Sequence, residues 1–399
     1  MKIAFVVPRY GTEVRGGAEY AARMLAERLV SQCGWVVEAL TTCALDWRTW
    51  ADEYPAGEVE VNGVRVHRFS SRAGRHRDFE PFSAAVLADP AGASPADQRR
   101  WIERQGPVCP EVVAAATDGD ADLVVFYPYL YYPTVYGMTA VGRRAVLHPA
   151  AHDEAPLRLP LFAEVFAAAR GLVFQTEGER RLAHRLFPAI SATPQIRLGL
   201  GVEPGPGEAA AARATLGLGE RPYLLCLGRV DEGKGTTLVA RYFAAYKQRR
   251  PGPLALVLAG PVVNRPPPHP DIVVAGPVDE ATKWGALRGA VALVSPSPLE
   301  AFSLVLVEAW TAGRPVLVNS ACLATAEHVA RSGGGLWFGG YGQFEAAVER
   351  LSTDAALSER LAAAGGAYVE AYFAWPVLID RYRAFLEAVA IREQGAVPR

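Results

Sequence analysis

Short apolar runs separated by longer amphipathic segments recur along this chain, a pattern that restricts it to parallel sheet flanked by helices. In the first half the runs are Ile3–Val7, Val36–Thr41, Val64–Phe69, Leu123–Tyr127, Arg144–Leu147 and Gly171–Gln175. Strands buried on both faces read as continuous rather than alternating hydrophobic stretches. Between the first two, Ala18–Val30 sets Leu25 and Leu29 on one helical face. Glycine and proline break the pattern at Leu198-Gly-Leu-Gly-Val-Glu-Pro-Gly-Pro-Gly207, as a linker does. It resumes with Tyr223–Gly228, Leu254–Ala259, Ile272–Ala275, Ala292–Ser295 and Pro315–Asn319. A length of 399 residues accommodates two ordinary domains, and the expected architecture is two Rossmann-like halves joined near residue 203. Residues 71–110, rich in Pro, Arg and Ala, form an irregular or helical insertion. No repeat of about 20–50 residues is present, which argues against a solenoid.

Charge narrows the partners. With 41 Lys+Arg against 42 Asp+Glu the net charge is -1, so nothing global favours nucleic acid. The basic stretch Arg72–Arg77 suits an anionic acceptor or a lipid surface, or simply a solvated loop. The five cysteines are scattered and never form C-x-x-C, which fits free thiols in a reducing, cytoplasmic setting and does not suggest zinc. Met1–Pro8 is too short for a signal peptide, and no apolar stretch reaches the ~18 residues of a membrane span. Peripheral membrane contact stays open.

Glu300 and Glu308 stand eight apart in Glu300-Ala-Phe-Ser-Leu-Val-Leu-Val-Glu308, between an apolar run and a helical segment. A helix starting near Ser303 aims its free N–H groups and positive dipole end at the preceding loop. That is an anion site with a carboxylate on either side, a layout that suits a diphosphate between two sets of hydroxyls. The plainer reading is a loop Glu and a surface Glu.

Gly228-Arg-Val-Asp-Glu-Gly-Lys-Gly235 also follows a strand and opens a helix. It departs from the phosphate loop G-x-x-x-x-G-K-[ST] at Gly235, where the magnesium-holding hydroxyl is missing, and Leu254–Ala259 ends in no acidic residue. Arg229 and Lys234 remain as cations beside a glycine-rich turn, suited to a diphosphate held without a metal or else merely solvated. Gly16-Gly17 sits before the first helix, where backbone approaches a ligand closely or forms a tight turn; it is not the G-x-G-x-x-G of a nicotinamide site. His148 and His152 are four apart in Leu147-His-Pro-Ala-Ala-His-Asp-Glu154, but Pro149 argues against one helical zinc face. His152, at the carboxyl end of a strand, is placed to hydrogen-bond a reacting sugar or an acceptor, unless it only packs. Asp118-Gly-Asp120 precedes its strand at the amino end, where open α/β sheets do not bind ligands, and reads as a turn. No G-x-S-x-G nucleophile elbow occurs.

Taken together, Gly16-Gly17-Ala-Glu19, Gly228-Arg229, Lys234-Gly235 and the Glu300/Glu308 pair resemble the retaining GT-B glycosyltransferases of family 4 (glycosyl transferases group 1). The resemblance covers nearly the whole chain, including Phe373-Ala-Trp375 before a last helix. It implies two Rossmann-like domains facing a central cleft: an acceptor domain over 1–202, with 375–399 crossing back, and a donor domain over 203–374. It implies transfer of a hexose-type sugar from a nucleoside-diphosphate sugar to a small-molecule, glycan or lipid-linked acceptor hydroxyl, with no essential metal or other cofactor. Arg229 and Lys234 would hold the diphosphate, Glu308 the ribose, and Glu300 the sugar near the reacting carbon. Backbone around Ser303, Leu304 and Val305 would cap the phosphates, with Gly228 beside them. Gly16 and Gly17 would line the cleft, and His152 would match the cleft histidine. The base would contact the segment 276–280 around Val278, and acceptor choice would lie in residues 40–110. The family often has Gly where Ala301 and Ser303 stand, and these two small residues depart from that pattern. A sugar-nucleotide epimerase or phosphorylase-like enzyme is the alternative on the same fold.

Overall fold

A computed structural model describes residues 1–14 and 16–394; Arg15, between Val14 and the Gly16-Gly17 pair, and residues 395–399 of the expected return segment lie outside them. The chain forms two units, one of residues 1–199 with the chain from Ile379 on, the other of Leu200–Leu378. The division falls at 199/200 rather than 202/203, and the return begins at 379 rather than 375. The reason is local: Val202 N–H donates to the Phe373 carbonyl at 3.2 Å, and a β-carbon on Gly201 would lie 2.4 Å from the Trp375 ring. These contacts bind 201–202 to 373–375 within the second unit.

The first unit holds β1 (Lys2–Val6), β2 (Val36–Thr42), β3 (Gly57–Val61), β4 (Val64–Phe69), β5 (Leu123–Phe126), β6 (Ala145–Leu147), β7 (Gly171–Phe174) and β8 (Gln195–Arg197). Their order is β3-β4-β2-β1-β5-β6-β7-β8. All neighbours pair in parallel except β3 with β4, a hairpin turned at Asn62-Gly63, whose φ values of 49° and 83° are those of a tight primed turn. Insertion 71–110 resolves into helices Phe79–Leu87 and Pro95–Gln105, the second N-capped by Ser94. Trp101, Ile102 and Phe79 bury against the core that also takes Val124, Phe126 and Leu147.

The second unit holds β9 (Tyr223–Leu227), β10 (Ala255–Ala259), β11 (Ile272–Gly276), β12 (Ala292–Ser295), β13 (Val316–Asn319) and β14 (Gly335–Phe338). They are all parallel in the order β11-β10-β9-β12-β13-β14. The chain therefore reverses its direction of travel between β9 and β12, and between β1 and β5 in the first unit. In such sheets the crevice outside the carboxyl ends of the strands at the reversal is where ligands bind.

Candidate functional site

In the second unit the loop after β9 and the loop after β12 meet at that crevice. Gly228, exposed at φ 127°, approaches Gly260 so closely that a β-carbon on Gly260 would lie 2.0 Å from the Gly228 carbonyl oxygen. Buried Asp231 organises the rest of the first loop. Its Oδ1 accepts the Lys234 N–H at 2.6 Å, its carbonyl accepts the Thr236 hydroxyl at 2.9 Å, and its Oδ2 lies 3.2 Å from Arg229 Nε. Gly235 then opens helix Thr236–Arg249 in the left-handed region at φ 70°. A β-carbon there would come 2.5 Å from the Pro296 carbonyl, so the loop excludes the hydroxyl-bearing residue of a P-loop on steric grounds.

Helix Leu304–Thr311 begins after Ser303, the N-cap, which is itself left-handed at φ 72°. Such backbone in a non-glycine residue stores strain and concentrates at functional sites. The Ser303 hydroxyl is buried and has no partner among the described residues. The helix is held by Trp310, whose indole N–H donates to the Gly334 carbonyl at 2.8 Å; a β-carbon on Gly365 would come 2.0 Å from its ring. Both carboxylates of the 300/308 pair are engaged by lysines. Lys234 Nζ donates to Glu300 Oε1 at 2.6 Å and Lys283 Nζ to Glu308 Oε1 at 2.9 Å. Glu300 is half-buried, whereas Glu308 is only 6% exposed, and burial raises its pKa against the opposing pull of Lys283. Burial works to lower the Lys283 pKa, but the charges and hydrogen bonds of Glu308 and Glu280 outweigh it and leave it raised. Arg229 stays largely exposed, its side chain 46% accessible. Beyond β11, Val278 lines a groove of about 330 Å³ with Ala275, Pro277, Asp279 and Thr282. The structure thus sets Gly228, Arg229 and Lys234 on the loop after β9, Glu300 and Ser303 on the adjoining loop after β12, and Leu304, Val305 and Glu308 on the helix that follows it.

In the first unit Gly16 and Gly17 differ. A β-carbon on Gly16 would lie 2.2 Å from Glu19 Oε2, while one on exposed Gly17 would meet no described residue within 4 Å. Glu19 is buried against Arg9, whose Nε donates to its Oε1 at 2.9 Å. The two histidines part company. His148 is 2% exposed, stacks on Tyr127, shares a 2.8 Å hydrogen bond with the Tyr382 hydroxyl, and is held neutral by burial, its pKa lowered to about 3. His152 is half-exposed, with Nε2 at 3.5 Å from Glu154 Oε2 and a buried Nδ1 that has no partner among the described residues. The intervening Ala150 is left-handed at φ 52°. Buried Glu179 fixes this loop, accepting the Ala151 N–H at 2.7 Å and the Gln175 N–H at 2.6 Å. Its burial, against those hydrogen bonds, raises its pKa to about 8. Asp118 ends a helix, and Asp120 pairs with Lys2 at the amino end of β1.

Sequence reasoning missed Asp231, Glu179 and Lys283. The first two had weak signals: an Asp three residues before Lys234, and a Glu three residues after Thr176, as in a capping box. Lys283 had none, since its partner lies 25 residues away. Among the described residues no group of three His, Cys, Asp or Glu is placed to hold a metal, and no helix is long and apolar enough to cross a membrane.

Residues 221–354, which carry both loops, match the family described as glycosyl transferases group 1. A D-inositol 3-phosphate glycosyltransferase of Kribbella flavida is 28% identical over 269 residues, 59% of this chain and 62% of that protein. One of Saccharomonospora viridis is 32% identical over 174 residues, 39% of this chain and 40% of that protein. The chain spans about half the length of the relatives it matches. Among solved structures, a sucrose-phosphate synthase of Thermosynechococcus elongatus superposes with a TM-score of 0.68 at 19% identity, over 97% of this chain and 99% of that one. An E. coli structure described as trehalose-6-phosphate bound with UDP-2-fluoro glucose gives 0.70 at 13%, covering 100% of both chains. Anabaena HepE, solved with UDP and glucose, gives 0.68 at 14%, over 97% of this chain and 100% of that one. At these identities the likeness establishes the shared fold.

Proposed function

We propose, from the match of residues 221–354 to the glycosyl transferases group 1 family in a chain of GT-B fold, that this protein is a retaining glycosyltransferase moving a hexose-type sugar from a nucleoside-diphosphate sugar to an acceptor hydroxyl. The observation that carries the reading is the helix N-terminus at Ser303, flanked by two carboxylates, each engaged by its own lysine. UDP and a UDP-sugar bound in structural relatives support a nucleotide-sugar donor. The names of the sequence relatives favour a phosphorylated polyol among acceptors.

In this reading the diphosphate lies against the first turn of Leu304–Thr311, where N–H groups and dipole favour an anion. Arg229 and Lys234 supply fixed positive charge, which offsets the negative charge that develops as the nucleoside diphosphate departs. Lys234 carries three N–H donors and spends one on Glu300, so it can hold the carboxylate beside the sugar and still reach a phosphate oxygen. Glu308 accepts the ribose hydroxyls, and the groove at Val278 takes the base. His152 hydrogen-bonds the transferring sugar, with Gly16 and Gly17 giving close backbone approach. The acceptor hydroxyl attacks on the face the diphosphate leaves, which retains the anomeric configuration. No essential metal is required, because the protein's own cations meet the diphosphate.

Calorimetric titration with UDP, GDP, ADP and TDP tests this. One of them is expected to bind, and Glu308→Ala to weaken it roughly 10- to 100-fold, the loss of hydrogen bonds to a charged group. Lys234→Ala is expected to lower turnover by at least about 100-fold, and EDTA to leave wild-type turnover unchanged. Absence of binding by all four, or undiminished affinity in Glu308→Ala, overturns the reading. Turnover of the sugar nucleotide to an isomer without any acceptor would point to an epimerase instead.

A further inference from the structure

Lys283 stands on the first turn of helix Glu280–Gly289, a turn fixed by Asp279, whose Oδ1 accepts the Thr282 N–H at 2.7 Å. Its ammonium is held twice, 2.9 Å from Glu308 Oε1 and 2.7 Å from Glu280 Oε2, and its side chain is only 20% exposed. The Trp284 ring centroid lies 5.5 Å from Nζ. Few places remain for this side chain, so the position of Nζ is determined by its surroundings. Glu308 has the opposite arrangement. Only its Oε1 is engaged, no described residue donates to Oε2, and Oε2 is not among the buried atoms that lack a partner. Each carboxylate oxygen offers two lone pairs. With one lone pair of Oε1 taken, the carboxylate retains the other and the whole of Oε2, an acceptor set matched to two vicinal hydroxyls. The groove lined by Val278 and Thr282 belongs to the same turn, so a base seated there would lie on the element that carries Lys283.

We infer that Lys283 is a positioning residue that fixes and keeps charged the Glu308 carboxylate, so that selection of a nucleotide bearing both ribose hydroxyls depends on Lys283, which need not touch the nucleotide. This rests on the donor-site reading above. A carboxylate this buried and without a partner would have to be protonated or turn away. A protonated or displaced Glu308 accepts the ribose hydroxyls poorly.

The test pairs each of UDP, GDP, ADP and TDP in its ribose form with its 2′,3′-dideoxy counterpart, titrated into wild type, Lys283→Met, Lys283→Gln and Lys283→Arg. Wild type is expected to prefer the ribose form of its nucleotide by at least about 30-fold. In Lys283→Met and Lys283→Gln the preference is expected to fall to about threefold or less, with the dideoxy affinity unchanged within about twofold. Lys283→Arg, which keeps the charge, restores most of it. Either neutral variant suffices if the other does not fold. A preference retained in both neutral variants, or equal weakening of the ribose and dideoxy forms, overturns the inference and leaves the donor-site reading standing. If wild type binds none of the eight compounds, the donor-site reading falls and this inference with it.

Discussion

Ser303 and Gly235 both adopt left-handed backbone, at φ 72° and 70°, yet only one of them is glycine. At Gly235 the Pro296 carbonyl leaves no room for a β-carbon. Gly235→Ala therefore combines a conformational penalty with a clash, and is expected to cost roughly 2 kcal/mol or more in denaturant titrations. At Ser303 the hydroxyl makes no hydrogen bond among the described residues, so Ser303→Gly removes the left-handed penalty at the smaller cost of a higher unfolded-state entropy. The expected result is a gain of about 0.5 kcal/mol; a loss above ~1 kcal/mol would show that the hydroxyl has a structural role. The residues proposed to face a ligand stand out in the sequence because their motifs are local: eight positions separate Glu300 and Glu308, and five separate Arg229 and Lys234. Residues that hold those in place do not, because their partners lie far along the chain. Lys283 reaches Glu308 across 25 residues, and Glu179 reaches Ala151 across 28.

Central strands were legible for the same physical reason that buries them. Ala292–Ser295 runs as read from the sequence and is buried along its length, as a strand covered on both faces is mostly apolar; Val64–Phe69 also runs as read, although Arg65 and His67 alternate with its buried valines. The strands β3, β8 and β14 escaped because each lies at a sheet edge and is partly or largely exposed. Their composition is mixed, as Gly-Glu-Val-Glu-Val shows for β3, though Asn62-Gly63 was a hairpin signal. The last helix, Trp375–Gln394, is tied to β6 through His148 and Tyr382. The folded protein keeps His148 neutral down to about pH 3, whereas the unfolded chain takes up a proton below about pH 6.5. The native state thus binds fewer protons over that window, and stability present above pH 6.5 is lost as the pH falls towards 3. Near pH ~5 this one group accounts for about 2 kcal/mol. His148→Gln, which keeps a polar partner for Tyr382, is expected to narrow the gap in melting temperature between pH ~7 and pH ~5. An unchanged gap would place the acid sensitivity elsewhere, with buried His328, its pKa lowered to about 4, the next group to test.

Two units with separate cores carry different parts of the proposed chemistry, and calorimetry can distinguish them. The donor-site residues Arg229, Lys234, Glu300 and Glu308 all belong to the second unit. A nucleoside diphosphate at about 100 times its Kd is expected to add about 2.7 kcal/mol to the unit that binds it. In a scanning experiment one transition should move, and it should be the one that His148→Gln leaves unchanged. Movement of the His148-sensitive transition would mean that the nucleotide sits in the first unit. At this scale the paired alternations of the sequence announced both sheets. The insertion at 71–110 reads as irregular or helical from its composition, and the structure makes it helical; the bounds of its helices were not legible, since much of Phe79–Leu87 and Pro95–Gln105 is exposed and their apolar stripes are narrow.

The antiparallel strand β3 has a consequence for the chain's life in a crowded solution. A sheet ending in an uncovered parallel strand offers a row of unpaired amides to any extended segment that drifts past. Here the hairpin at Asn62-Gly63 caps β4 with a short strand whose Glu58 and Glu60 are exposed. The border of the first sheet thus carries exposed charges, Glu58 and Glu60 facing His67 and Arg65 on β4, whose burial against a second copy would be costly, and exchanging those glutamates for threonine would be expected to turn it into a seed for aggregation.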